Sequence, residues 1–217
     1  MLQRHDIINS LFNKYNLINP RYLEIGVWNG STFNNVNTIY KDGVDPGQYG
    51  NFSCVNYKCT SDIFFKDFIK HKYDFIFIDG LHTAYQVSKD IYNSIENINN
   101  KGIIMIDDIY PHNKNEQEPL NLYKSGPQSG DVWKAVYNIL DTIEDISDEI
   151  IFYKTSERGN LKFKLKNNNS KNITIDSSIP TNNIDGWNVN EKSEWNKYSY
   201  DIHFNDYLNR INKYIIE

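Results

Sequence analysis

Residues 72–82 read Lys-Tyr-Asp-Phe-Ile-Phe-Ile-Asp-Gly-Leu-His, and the unbroken apolar run Phe75 to Ile78 inside them constrains the fold most. A strand that is apolar on both faces has to be covered on both faces, which is the condition of a parallel sheet in an α/β layer structure. Lys101-Gly-Ile-Ile-Met-Ile-Asp-Asp108 repeats the pattern, and both runs end in carboxylates: Asp79 in the first, Asp107 and Asp108 in the second. Between them, residues 85–98 place Val87, Ile91, Ile95 and Ile98 on one face of a helix. A third unit opens the series, Tyr22-Leu-Glu-Ile-Gly-Val-Trp-Asn-Gly-Ser-Thr32. It reads as a short strand over 21–25, a turn at Gly26 and a helix start at Gly30-Ser31-Thr32. Strand and helix alternate throughout 21–108, which predicts an α/β fold with a Rossmann-like, doubly wound, mostly parallel sheet.

The 217 residues suit a single domain, 1–217, with a core over 20–165 and a C-terminal extension over 166–217 that ends in a helix. A net charge of −5 and a pI near 5.6 argue against binding a nucleic-acid backbone. No segment approaches the ~18 consecutive apolar residues of a membrane span, and the first residues lack the apolar core of a signal peptide. The expectation is a soluble, cytoplasmic protein with neither a membrane nor a nucleic-acid partner. Cys54 and Cys59 are too few for a disulfide framework and read as ordinary thiols. A nicotinamide fingerprint G-x-G-x-x-G would need glycine at 28 and 31, where Trp28 and Ser31 stand.

Taken in order, residues 2–18 carry helical spacing and stop at Asn19-Pro20, and a second strand ends at Asp45-Pro46-Gly47. Residues 52–57 suggest a third strand, followed by a helix over 63–70 with capping chemistry at Thr60 or Ser61. From Ile109 to Gly130 no period is visible, and Pro111, Pro119 and Pro127 interrupt the segment. Its place after the Asp-Asp strand predicts a substrate-covering loop. Residues 131–140 read as a helix, 149–153 and 160–165 as a closing strand pair around Glu157-Arg158-Gly159. Residues 166–186 are polar and patternless, and Trp195 to Ile216 read as a helix docking on the core.

In an open α/β sheet, ligands bind outside the carboxyl ends of the strands. Asp79, Asp107 and Asp108 converge there, and three carboxylates held together call for a hard divalent cation. Plain turn capping by Asp79 and solvated strand-end acids remain the alternative. His82 suits the removal of a hydroxyl proton near neutral pH, against the alternative of a turn histidine, and His112 is a weaker second candidate. Asp45, about 20 residues beyond Gly26 at the next strand end, suits ribose hydroxyls, or simply its Pro-Gly turn. Ser61 and Asp62 fit either a cofactor contact or a helix cap.

Taken together, Y-L-E-I-G-V-W-N-G-S-T, V-D-P, S-D-I-F-F, D-F-I-F-I-D-G-L-H-T-A-Y, K-G-I-I-M-I-D-D and G-D-V-W-K resemble the class I methyltransferases that use S-adenosyl-L-methionine (SAM), in the group labelled type 24. Relatives in that group include sugar and macrolide-sugar O-methyltransferases. The resemblance implies SAM held by Glu24, Gly26, Trp28, Gly30, Ser31, Asp45, Ser61, Asp62 and Asp79, with Mg2+ at Asp79, Asp107 and Asp108 and catalysis by His82 and Asp79. It further implies methylation of a hydroxyl on a small polar acceptor, a sugar or nucleotide-sugar, as in glycan biosynthesis. N-methylation of an amine or phosphoramidate, or a SAM-binding subunit without catalysis, are the alternatives, and homo-oligomerisation is open. One departure is that the family's K-P-G-G turn is reduced to Asn100-Lys101-Gly102, where one glycine is expected to suffice for the bend.

Overall fold

The computed structural model describes residues 3–47, 54–117, 128–154, 158–167 and 198–215. In chain order the elements are α1 (Arg4–Lys14), β1 (Tyr22–Ile25), β2 (Lys41–Val44), α2 (Ser61–Ile63), β3 (Tyr73–Ile78), α3 (Ala84–Asn97), β4 (Ile98–Ile106), α4 (Val132–Ile146), β5 (Ser147–Tyr153), β6 (Asn160–Leu165) and α5 (Tyr200–Asn212). The six strands form one sheet in the order β2-β1-β3-β4-β6-β5. The first four run parallel, and β6 is antiparallel to both its neighbours. Strand alternation assigns the two faces. Phe75, Phe77, Ile103 and Met105 pack with Ile7, Ile8, Leu11 and Phe12 of α1. Ile76, Ile78, Ile104 and Ile106 pack with α3, α4 and α5 through Val87, Ile91, Val136, Ile139, Phe204 and Tyr207. The apolar runs are therefore buried on both sides, as their composition demands. No helix among the described residues is long and apolar enough to cross a membrane.

Three expected elements differ. After Gly30 there is no α-helix but a 3-10 turn over Phe33–Asn35. Asparagine side chains compete for its backbone: Asn35 Nδ2 donates to Ser31 O at 2.9 Å, and Ser31 N–H donates to Asn29 Oδ1 at 3.0 Å. The third strand is reduced, in its described part, to one bridge between Tyr57 and Val44. At the neighbouring ladder position the Gly43 N–H donates to the side-chain Oδ1 of Asn56 at 2.9 Å, so a side chain stands in for the ladder. The helix expected over 63–70 starts at Thr60, whose hydroxyl accepts from Ile63 N–H, and widens into a π-turn over Phe64–Phe68 that buries Phe64 and Phe65. At the start of β4 the left-handed residue is Lys101 (φ 62°), not Gly102. Gly102 is required instead because a Cβ there would lie 2.3 Å from Ile98 Cγ1. Residues 48–53, 118–127, 155–157 and 168–197 lie outside the described set, and with them Pro119, Pro127, Glu157, Trp195 and most of the polar segment 166–186.

Candidate active site

Gly26 brings the ends of β1 and β3 into contact. It takes φ +85°, and a Cβ on it would lie 2.0 Å from the Asp79 carbonyl oxygen, so only glycine fits both the turn and the approach. Asp45, at the end of β2, holds the same turn: Oδ2 accepts the N–H groups of Val27 (3.0 Å) and Trp28 (2.9 Å), and Oδ1 accepts Gly47 N–H at 2.8 Å. Among the described residues Oδ2 is thus filled, while Oδ1 keeps one acceptor position for an incoming hydroxyl. Gly30 (φ +78°) passes against Cys54, Trp28 projects into solvent at 58% exposure, and Ser31 is exposed. Glu24 is buried on β1 and accepts the Tyr22 hydroxyl. Burial raises its pKa to about 8, with Asp79 adding to the rise and the Tyr22 bond, Lys41 and Arg4 opposing it. Ser61 and Asp62 meet α3 through Gln86, whose amide donates to Ser61 Oγ (3.1 Å) and Asp62 Oδ1 (3.2 Å); Lys89 pairs with Asp62 Oδ2.

At the carboxyl edge of β3 and β4 the expected acids divide. His82 Nε2 lies 3.4 Å from Asp79 Oδ1 and 3.2 Å from Asp108 Oδ2. Asp79, His82 and Asp108 each offer one ligating atom, all within 4.8 Å of one another. Asp107 is not one of this trio. Its oxygens are taken by Arg4 Nε of α1, Asn160 Nδ2 of β6 and the Asp108 N–H at 2.9 Å. Arg4 also lies 3.8 Å from Asp79 Oδ2. Neither Arg4 nor Asn160 was singled out by the sequence, since no local pattern ties them to residues more than fifty positions away.

The charge at this edge is unbalanced. Burial raises the pKa of Asp79, Asp107 and Asp108, and for each of the three a neighbouring carboxylate raises it further. For His82 burial works against the proton, but Asp108, Asp79 and Asp107 outweigh it and lift its pKa to about 9. The imidazole therefore carries a proton at neutral pH, and with Arg4 it sets two positive charges against three carboxylates. The carboxylate oxygens of Asp79 and Asp108 are hard donors of the kind a divalent cation takes, with the His82 imidazole beside them.

The G-D-V-W-K segment fixes His82 from the other side. Gly130 (φ +59°) packs so tightly that a Cβ would lie 1.8 Å from the His82 carbonyl oxygen. Asp131 Oδ1 accepts Ala84 N–H at 2.7 Å at the start of α3, and Gln128 O lies 3.3 Å from His82 Nδ1. The feet of the 109–130 loop are stitched together, with Ser129 and Gly130 N–H both donating to Glu116 O at 3.1 Å. His112 lies on that loop, exposed, beside Glu116 and away from the carboxylate trio's contacts.

Residues 47–109 match a family model described as a methyltransferase domain, of type 24. Among solved structures the chain is similar to an O-methyltransferase from Bacillus cereus in complex with SAH (TM-score 0.52, 12% identity, covering 76% of this chain and 83% of that one). It is also similar to a putative O-methyltransferase from Klebsiella pneumoniae (TM-score 0.52, 9% identity, covering 76% and 82%). No curated protein matches the sequence significantly. The sheet order and these likenesses define the class I methyltransferase fold, and its 47–109 segment carries the methyltransferase-domain pattern.

Proposed function

We propose that the protein is a SAM-dependent O-methyltransferase acting on a hydroxyl of a small polar acceptor, a sugar or nucleotide-sugar. The observation that carries this reading is the cluster of Asp79, His82 and Asp108 at the strand edge, in contact with the Gly26 turn through Asp79. SAM, when bound, supplies a methyl group on a sulfonium, with a neutral thioether as leaving group. The turn at Gly26 to Ser31, with Trp28 and Gly30, holds the cofactor on this reading, and Asp45 Oδ1 offers the acceptor position for its ribose. Glu24 and Asp79 would flank the bound cofactor at the strand ends, and Ser61 and Asp62 would contact its base.

A divalent cation such as Mg2+, when bound, supplies a Lewis acid that lowers the pKa of the acceptor hydroxyl. Asp79 and Asp108 would hold it, while Asp107, tied to Arg4 and Asn160, braces the edge. A cation there would offset the carboxylates that raise the His82 pKa, leaving a neutral imidazole that would accept the hydroxyl proton as the methyl passes to oxygen and the carbon–sulfur pair stays with sulfur. Most of the remaining work is alignment of donor and acceptor.

The test is calorimetry with S-adenosylhomocysteine (SAH) and with NAD, followed by mass spectrometry of glycoside and nucleotide-sugar acceptors incubated with protein and SAM. Binding of SAH alone and a gain of one methyl on an acceptor oxygen is the expected result. Binding of NAD in place of SAH sinks the reading.

A further inference from the structure

Helix α1 carries a charge in its buried stripe. Ile7, Ile8, Leu11 and Phe12 dock on the sheet, and Arg4 stands one turn before them on the same face. The helix is fixed there at both ends. At its start Asp6 Oδ2 accepts the Gln3 N–H at 3.0 Å. At its far end Lys14 Nζ lies 2.7 Å from Glu149 Oε1, and the buried Lys162 of β6 donates to the Tyr15 hydroxyl at 2.6 Å. A cation in the first turn opposes the positive end of the helix dipole, so Arg4 does nothing for the helix itself. Its partners lie across the gap, at the carboxyl ends of two strands.

Arg4 divides the acids oxygen by oxygen. Its Nε bonds Asp107 Oδ2 and lies 3.8 Å from Asp79 Oδ2. Asp107 Oδ1 accepts from Asn160 Nδ2 and the Asp108 N–H, so both Asp107 oxygens are engaged. The remaining oxygen of Asp79, Oδ1, lies instead 3.4 Å from His82 Nε2, where Asp108 Oδ2 also arrives at 3.2 Å. A hard cation such as Mg2+ has few coordination positions and keeps several for water. Two protein carboxylates in place of three leave one more position for water or an acceptor oxygen, and a guanidinium beside them weakens the hold on the ion. We infer that Arg4 is a positioning residue of the proposed reaction: it withholds Asp107 from the cation, leaves Asp79 and Asp108 to meet it, and keeps a coordination position open for the acceptor hydroxyl. The inference rests on the proposed cation and methyl transfer and deepens them.

The experiment is Mn2+ binding to the full chain, read by electron paramagnetic resonance of the free ion, with SAH calorimetry in parallel and circular dichroism as the check on folding. Arg4→Met keeps an apolar stem in the stripe and removes the charge. It should bind Mn2+ roughly 10-fold or more tightly than the parent, through loss of a like charge beside the ion and release of a carboxylate. Arg4→Ala is the second uncharged variant, with the same expectation where Arg4→Met does not fold. Arg4→Lys restores the charge and should return Mn2+ affinity towards the parent's, and Lys14→Ala, at the other end of α1, should leave it unchanged. Asp107→Asn completes a cycle: it should cost little Mn2+ affinity with Arg4 present and most of the gain when combined with Arg4→Met. A residue that merely held the fold would give weaker Mn2+ binding on removal, not tighter. Unchanged or weaker Mn2+ binding in the folded uncharged variant, an equal cost of Asp107→Asn in both backgrounds, or no Mn2+ binding by the parent overturns the inference; SAH binding by the parent then leaves the cofactor reading standing. A parent that binds no SAH removes the methyltransferase reading, and the positioning role falls with it.

Discussion

Asp90 on α3 is fully buried, and replacing it with asparagine should stabilise the protein in a pH-dependent way. Its Oδ1 accepts the Gln86 amide at 3.1 Å, while Oδ2 has no hydrogen-bond partner among the described residues and lies near Gly80. Burial raises its pKa to about 7; hydrogen bonds from Ser61 and Gln86 and the charge of Lys89 oppose the rise, and Asp62 adds to it. In the unfolded chain an aspartate titrates near ~3.9, so the folded state holds the proton about 3 units longer, worth about 4 kcal/mol. Because the folded pKa is the higher one, the stability it confers is fully present below about pH 4 and is lost as pH rises to about 7. Four kilocalories is a large share of the ~5–15 kcal/mol that holds a domain folded. Asp90→Asn keeps the Oδ1 acceptor and cannot ionise. Urea unfolding of both proteins at pH 5, 6, 7 and 8 should show the variant's advantage growing by about 1.4 kcal/mol per pH unit up to pH 7 and then levelling. An advantage that does not change with pH would refute the reasoning.

Gly26→Ala should lose SAH binding in calorimetry and about 1–3 kcal/mol of stability in thermal unfolding, since its Cβ would sit 2.0 Å from the Asp79 oxygen in a left-handed turn. Asp108→Ala should abolish EDTA-sensitive turnover while keeping SAH affinity, because Asp108 meets His82 and not the glycine turn; loss of both would move Asp108 to the cofactor side. His82→Ala should cut turnover by about 10²–10⁴-fold with Mn2+ affinity unchanged. A parallel drop in Mn2+ affinity would make the imidazole a ligand instead of the base. Asp131→Ala should cost roughly 1–2 kcal/mol through the lost Ala84 cap and should slow turnover without weakening SAH; Asp131→Asn, which keeps the acceptor, should restore most of both.

The strands and their acidic ends were legible because burial on both faces leaves an unbroken apolar run, and helices α1, α3 and α4 were legible from local spacing. What was hidden depends on partners far along the chain. Asn56 replacing a strand at Gly43, Arg4 reaching Asp107 across 103 positions, and Asp131 capping α3 from 47 positions away leave no trace in a local window. The short turn after Gly30 had a readable cause in Asn29, Asn34 and Asn35, side chains that compete for backbone hydrogen bonds and weaken a helix start. The requirement for glycine at 102 came from crowding by Ile98, which spacing does not reveal.

The division of the acids follows from the period of two. Phe75 and Phe77 of β3, and Ile103 and Met105 of β4, face α1, so Asp79 and Asp107, which continue those rows, begin on the α1 face. Arg4 of α1 meets both there. Asp108 falls on the opposite row, with Ile104 and Ile106, and its backbone turns left-handed (φ 57°) as the strand ends. Two consecutive strand residues cannot aim at one point while the strand stays regular. A site that draws on Asp108 therefore has to recruit across the edge, and His82, held by Gly130 and Asp131, bridges Asp79 to Asp108. Arg4 and the protonated imidazole offset two of the three carboxylates, so one negative charge remains at the edge. On the proposed reading that charge is what a bound cation would answer, and Arg4 makes the first turn of the N-terminal helix part of the site.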